Sequence, residues 1–230
     1  QRVNIDAPYN GKSTLTGLGI GVHALYRPEA REGWSGVAQL RAGVEEGKMH
    51  RKIAFADYQA KPSSDWTGHT LAAGVQTAYH VPLGEMGSIG PVVALDYVRY
   101  SRPSISEDSN TTSNLHLDSA RADALQASLG VAVRQGWELN NGSRLHAEVA
   151  ATWEQQLLGR HKTQHASFEA SPQVSFDGRY ARVDRSALAL QAGVTLNASE
   201  RLSFSASAGT RVLGDSRAEV NGQLSINWKF

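Results

Sequence analysis

The chain contains no cysteine. A disulfide framework, a thiolate metal site and a cysteine nucleophile are therefore excluded, although the compartment is not fixed, because many exported bacterial proteins also lack cysteine. Neither sign of charge dominates. The 23 Lys and Arg face 22 Asp and Glu over 230 residues, a formal net charge of +1, too even for a protein that binds nucleic acid by neutralising phosphates. Long apolar runs are missing too: stretches such as Val92 to Leu95 last a few residues, against the about 20 that a membrane-spanning helix needs. The opening Gln1-Arg2-Val3-Asn4 has no basic-then-apolar leader, which fits a cytosolic chain or a mature or C-terminal piece of an exported one. Phosphate-cradling loops are also absent. Gly17, Gly19 and Gly21 recur at period two and no helical start follows them, as expected of a strand face that needs room. No metal and no cofactor is expected.

What the chain does have is alternation. From Val220 every second residue is apolar or Gly (Val220, Gly222, Leu224, Ile226, Trp228, Phe230), with polar residues between. Period two over eleven residues excludes a helix and specifies a strand with one apolar face. The same texture runs through Leu202 to Val212 and Leu188 to Asn197, joined as a hairpin by Asn197 to Glu200, and through Leu145 to Trp153, Leu125 to Arg134, Ile89 to Tyr97, Leu71 to Val81, Trp34 to Val44 and Thr14 to Tyr26. Nine strands and no helix result.

The connections alternate in length. Pro28 to Gly33, Pro82 to Gly87, Gly136 to Ser143 and Asn197 to Glu200 are short and rich in turn formers, whereas Glu46 to Asp65, Ser101 to Asp123 and Leu157 to Asp184 are long and polar. This puts all the short turns at one end of an antiparallel up-and-down sheet and the long loops at the other, as in a transmembrane β-barrel of the outer-membrane type. A soluble barrel or sandwich would turn its apolar faces inward and its polar faces to water. Against it stand polar faces dominated by Ser, Gly, Gln, Thr and Ala, and aromatics near strand ends where an interfacial girdle would lie: Tyr26, Trp34, Trp66, Tyr79, Tyr97, Trp137, Trp153, Trp228 and Phe230. Domain organisation follows: 1–13 is an N-terminal segment forming an extracellular loop or part of a strand, and 14–230 is the barrel.

The terminal stretch from Gln223 to Phe230, with Leu224, Ile226, Trp228 and Phe230 on one face, resembles the C-terminal signal of outer-membrane proteins. In order, GWSGVAQLRAGV (Gly33 to Val44), GPVVALDYVRY (Gly90 to Tyr100), DALQASLGVAV (Asp123 to Val133), LHAEVAATWEQQ (Leu145 to Gln156) and RSALALQAGVTL (Arg185 to Leu196) resemble successive strands of the autotransporter (type V secretion) translocator domain, nearest in texture to its pertactin and BrkA-like group. The resemblance covers about Thr14 to Phe230. It implies residence in the bacterial outer membrane, with long loops extracellular and the C-terminus periplasmic, and conduction or anchoring of an N-terminal passenger. It further implies contact with outer-membrane lipid and the barrel assembly machinery, and a monomeric barrel. The family's barrel has twelve strands and a pore helix. Either three strands and the helix lie outside this chain, or Arg2 to Asp6 supply a tenth strand and an even, closed count.

Positions facing the lumen include His23, Gln39, Arg41, Glu45, Gln76, His80, Asp96, Gly130, Arg134, His146, Glu148, Glu154, Gln191, Gly193 and Arg211. Mixed charge in a narrow pore is expected to solvate the lumen and neutralise itself. The resemblance adds a second reading: lumenal acids, here Glu154 and Asp96, assist an upstream Asn in cutting its own backbone. The rival to a translocator is a self-contained small barrel acting as a protease, lipid hydrolase or adhesin through its long loops. For that role His80 and Asp96 read as too near the periplasmic end, and Asp108, His116, Asp118, His161 and His165 as solvated loop residues.

Overall fold

A computed structural model describes residues 2–5, 11–26, 32–140, 142–159, 163–179, 185–212 and 219–228. Phe230 and His161 lie outside the described residues. The strands are β1 (Arg2–Ile5), β2 (Gly11–Tyr26), β3 (Gly33–Arg51), β4 (Ile53–Phe55), β5 (Tyr58–Ala60), β6 (Ser63–Leu83), β7 (Gly87–Arg102), β8 (Ile105–Ser106), β9 (Leu115–Leu117), β10 (Ala120–Glu138), β11 (Arg144–Leu158), β12 (Thr163–Phe168), β13 (Ser171–Arg179), β14 (Ser186–Asn197), β15 (Leu202–Val212) and β16 (Glu219–Trp228). Ten of them form one antiparallel sheet in the order β1-β2-β3-β6-β7-β10-β11-β14-β15-β16. All nine strands expected from alternation are present, and Arg2–Ile5 supplies a tenth. That tenth strand pairs only with residues 11–14 of β2, and no pairing of β1 with β16 occurs among the described residues. Among the described residues the sheet curls without closing, which goes against the second of the two accounts, a closed ten-strand barrel.

One parity holds across the sheet because facing residues in an antiparallel ladder share a face. The outward positions form an apolar belt: Leu18, Ile20 and Val22 on β2, Leu40 and Val44 on β3, Val93 and Leu95 on β7, Leu129 and Val131 on β10, and Leu224 and Ile226 on β16 are all exposed. At the short-turn end Trp34 and Tyr79 face outward with ring centroids 5.2 Å apart. From Trp34 to Val44, at about 3.3 Å per residue, the strand runs about 33 Å. Tilted by about 45°, it spans about 23 Å, close to the about 25 Å apolar band of an outer-membrane barrel. Outward residues then turn polar: Thr16, Glu46, His69, Arg99, Asp123 and Gln155. Trp66 departs from the expected girdle. It pairs with Gly47 on the inner face, and its ring occupies the space that a Cβ on Gly47 would need.

Above the belt the strands continue, β6 reaching 21 residues where about 9 to 11 suffice to cross a membrane. The long connections are not featureless. They carry the hairpin β4-β5 and a four-stranded sheet ordered β13-β12-β9-β8. One face of that sheet is polar (Ser106, His116, Ser167, Ser175), and the other carries Ile105, Leu117, Ala166 and Phe176. Polar bonds fasten it to the barrel wall. The Arg51 guanidinium donates to both oxygens of Glu107, at 2.6 and 2.5 Å, and the Leu115 N–H donates to the same carboxylate at 2.9 Å. Arg102 donates to the Gln164 side-chain oxygen at 2.7 Å and to the Asp118 carbonyl at 3.1 Å.

Two outcomes follow for this cap. The Glu107 side chain is fully buried, so Arg51→Met leaves an uncompensated interior carboxylate, which costs about 3 to 5 kcal/mol. Limited proteolysis should then cut between residues 103 and 114, while adding Glu107→Leu should restore much of the protection. On the adjoining hairpin, His165 Nδ1 lies 2.9 Å from Asp177 Oδ1. That hydrogen bond outweighs the opposing desolvation and, with the charges of Asp177 and Asp118, raises the His165 pKa from its ordinary 6.5. Because the folded value lies above the unfolded one, the stabilisation is complete below the ordinary value and is lost as pH rises through the raised one. Amide exchange in β12 and β13 should accelerate from about pH 5 to about pH 8 beyond the intrinsic rate change, and His165→Gln should remove that extra dependence.

Candidate functional site

The candidate site is the inner face of the ten-stranded sheet. Alternation aims the polar set there, and register decides which of its members meet. His80, Asp96, Gly130, Arg134, His146, Glu148, Glu154, Gln191, Gly193 and Arg211 all sit on inward positions. Leu224, Ile226 and Trp228 lie on the outer face of β16, at the sheet's edge.

Near the short turns a polar chain crosses four strands. Ser35 Oγ is 2.6 Å from His80 Nε2, the Arg134 Nη1 is 3.2 Å from the same nitrogen, and Arg134 Nε donates to Glu148 at 2.5 Å. Guanidinium can only donate, so His80 Nε2 accepts from it. His80 and Ser35 are buried. Alternation along β6 points His80 inward, and the backbone beside it is irregular. Pro91 has no N–H to give to β6, the ladder between β6 and β7 is interrupted opposite Tyr79 and His80, and a Cβ on Gly90 would collide with the Tyr79 carbonyl. Ser35 was not among the residues the sequence singled out.

Farther along, Glu154 forms an ion pair with Arg211, whose Nη2 also donates to Gln126 Oε1 at 3.2 Å. Asp96 lies on the inward side past the middle of β7, toward the long connections, and not in the short-turn half as the sequence suggested. It hydrogen-bonds Gln39 of β3 across β6. Gly74 lies between, and any Cβ there would collide with Asp96 Oδ1. Tyr100 fills the space beside Gly68 in the same way. The glycines make room for side chains of neighbouring strands. Asp96, Glu154, Arg211, Gln191 and Gln126 line one cavity of about 370 Å³. Arg134, His146, Glu148, Gln191 and Gly193 line a second, of about 400 Å³. The inner face thus offers paired charges and amides, and among the described residues no cluster of three or more His, Asp and Glu suits a metal ion.

A family model described as the autotransporter beta-domain matches residues 1–209. No curated protein matches the chain. Among solved structures, the crystal structure of the transport unit of the autotransporter AIDA-I from Escherichia coli is similar at 10% identity, covering 96% of this chain and 84% of that one with a TM-score of 0.35. The matched span holds the apolar belt from β2 to β14 and both ends of the polar chain from Ser35 to Glu148, and on that match the chain belongs to the autotransporter β-domain family.

Proposed function

We propose that this translocator domain sits in the outer membrane with its cap at the cell surface and its short turns in the periplasm, and that its polar inner face conducts or anchors an N-terminal passenger. The family is a transport family of the outer membrane, not one of enzymes acting in trans. The observation that carries the reading is the pairing of a belt of membrane height outside with a self-neutralised polar face inside. Arg134 against Glu148 and Arg211 against Glu154 leave little net field to hold a passing segment. Outer-membrane lipid would cover the belt, and the assembly machinery would read Leu224, Ile226, Trp228 and Phe230. The edges at β2 and β16, where Leu18 and Leu224 are 84% and 85% exposed, would be closed by further strands, since unpaired backbone groups are too costly in hydrocarbon.

Gly193 and Val194 separate the faces cleanly. A Cβ on Gly193 meets Ser207 Cβ at an ordinary 3.5 Å, so Gly193→Trp projects an indole into the lumen without forcing the backbone apart. Surface display of the passenger, followed by protease shaving of intact cells, should fall sharply for Gly193→Trp and stay normal for outward Val194→Phe. Gly130 does not serve this test, because its Cβ would collide with the Ala151 carbonyl before any ring was added. Reversed sensitivity would mean that the apolar face is the interior.

Glu154 and Asp96 are proposed to assist passenger self-cleavage, supported by their shared cavity. In the full-length protein, Asp96→Asn and Glu154→Gln should each slow release of the passenger by about a hundredfold, the lower range for a general acid or base, with heat-modifiable migration of the barrel unchanged. Cleavage at the normal rate in both variants would remove them from that role.

A further inference from the structure

Above the belt the two faces of the wall exchange roles. Ile105 of β8 faces Leu117 of β9 at the same pairing offset with which Arg102 faces Ala120, and Leu117 faces Ala166 of β12 at the offset of Leu125 with Leu158. The upper strands therefore prolong the wall, and β13 joins them through Phe176 opposite Ala166. Their orientation follows from two separate sets of contacts. Asp108 bridges Ser63, which lies on the outward side of β6, so Asp108 and Ser106 face outward and Glu107 and Ile105 inward. The inward side chains of Arg51 and Arg102 donate to Glu107 and Gln164, which share one face of the upper strands with Ile105 and Ala166. That apolar face thus lines the lumen, and the face with Ser106, His116 and Ser167 meets water, the reverse of the belt below. The exchange takes place at 103–104 and 118–119, where both chains leave strand conformation.

On this inner face Ile105 and Ala166 are buried, whereas Val174 and Phe176 of β13 are 52% and 44% exposed, and the Phe176 ring lies 6.0 Å from that of Phe168 between centroids. The charges nearby are engaged, Arg51 with Glu107 and Arg102 with Gln164. Apolar surface that is turned inward and stands above the belt is out of reach of lipid, and the segment that enters the lumen, on the reading above, is the passenger. We propose that Phe168, Val174 and Phe176 form an apolar exit collar that receives apolar side chains of the passenger as it leaves. The inference rests on the passage proposed above. Val174 and Phe176 project to one side about 7 Å apart along their strand, a spacing matched by an extended segment with apolar residues at alternate positions. The collar takes those side chains out of water, which the polar face in the belt does not do.

In cells exporting the passenger of the full-length protein, photoreactive benzoylphenylalanine is placed at one position at a time, and after brief illumination the adducts are located by mass spectrometry. Phe176→benzoylphenylalanine should link to apolar residues of the passenger, and Ser175→benzoylphenylalanine, on the opposite face, should give about tenfold less. Val174→Thr exchanges a methyl for a hydroxyl and should lower the adduct at position 176 about fourfold, the worth of one buried methyl-sized group, with heat-modifiable migration unchanged. Gln191→benzoylphenylalanine, within the belt, reports passage by itself. Passenger adducts from position 191 but none from 176, equal yields from 175 and 176, a yield unmoved by Val174→Thr, or adducts at 176 with other proteins alone overturn the collar and leave passage standing. Passenger adducts from neither inward position overturn the passage itself.

Discussion

Hydrocarbon offers nothing for a backbone N–H or C=O to bond, so a chain that crosses a membrane as strands must satisfy those groups within its own sheet. Here ladders join every neighbouring strand from β2 to β16, and the register they impose decides the rest. With every facing pair on one side of the sheet, a one-residue slip of β3 would send Leu40, Ala42 and Val44 inward together. The ladder between β6 and β7 is interrupted opposite Gly90 and Pro91, beside His80 and its polar partners. Above the belt water can serve as partner. The constraint relaxes there, and strands of two and three residues such as β8 and β9 become possible.

On the inner face, volume follows from the same register. Large side chains stand opposite glycines: Trp66 over Gly47, Tyr100 over Gly68, and Asp96 with Gln39 over Gly74. Alternation of large and small residues fills a small barrel without forcing its strands apart. The polar residues are therefore held in fixed bonds at two levels, the Ser35-His80-Arg134-Glu148 chain and the Glu154-Arg211-Gln126 group. In these two groups each charge has its partner on the face itself.

The belt strands were legible because period two against hydrocarbon leaves a strong mark. Their upper ends were not. From Glu45 to Lys48 both faces are polar or small, so the pattern fades although the ladder continues. Trp66 was misread for that reason: with the strand taken to begin at Leu71 its phase went uncounted, yet every even position of β6 from Gly68 to His80 pairs inward. The cap was legible only in part. β13 alternates Val174 and Phe176 with Ser175 and Asp177, but β8 and β9 are defined by their partners and carry no propensity of their own. The contact between Gln39 and Asp96 depends on a third strand between them, and no local pattern reports it. Phe230, on which the resemblance to an assembly signal rests, lies outside the described residues.

The two halves of the molecule are held by different physics and so answer to different conditions. The belt exposes Leu, Val and Ile that only a membrane or detergent can cover, and its stability is inseparable from that partner. The cap depends on buried polar bonds, above all Glu107 with Arg51. Salt screens such a pair weakly because water and ions do not reach the carboxylate, whereas exposed pairs such as Arg144 with Glu138 are screened within a Debye length. Changing the lipid therefore acts on the wall, whereas changing pH or removing a single buried charge acts on the cap, where its strand pairs join the ends of β3 and β7. A translocator built this way can keep its cap fixed while the wall adapts to its surroundings.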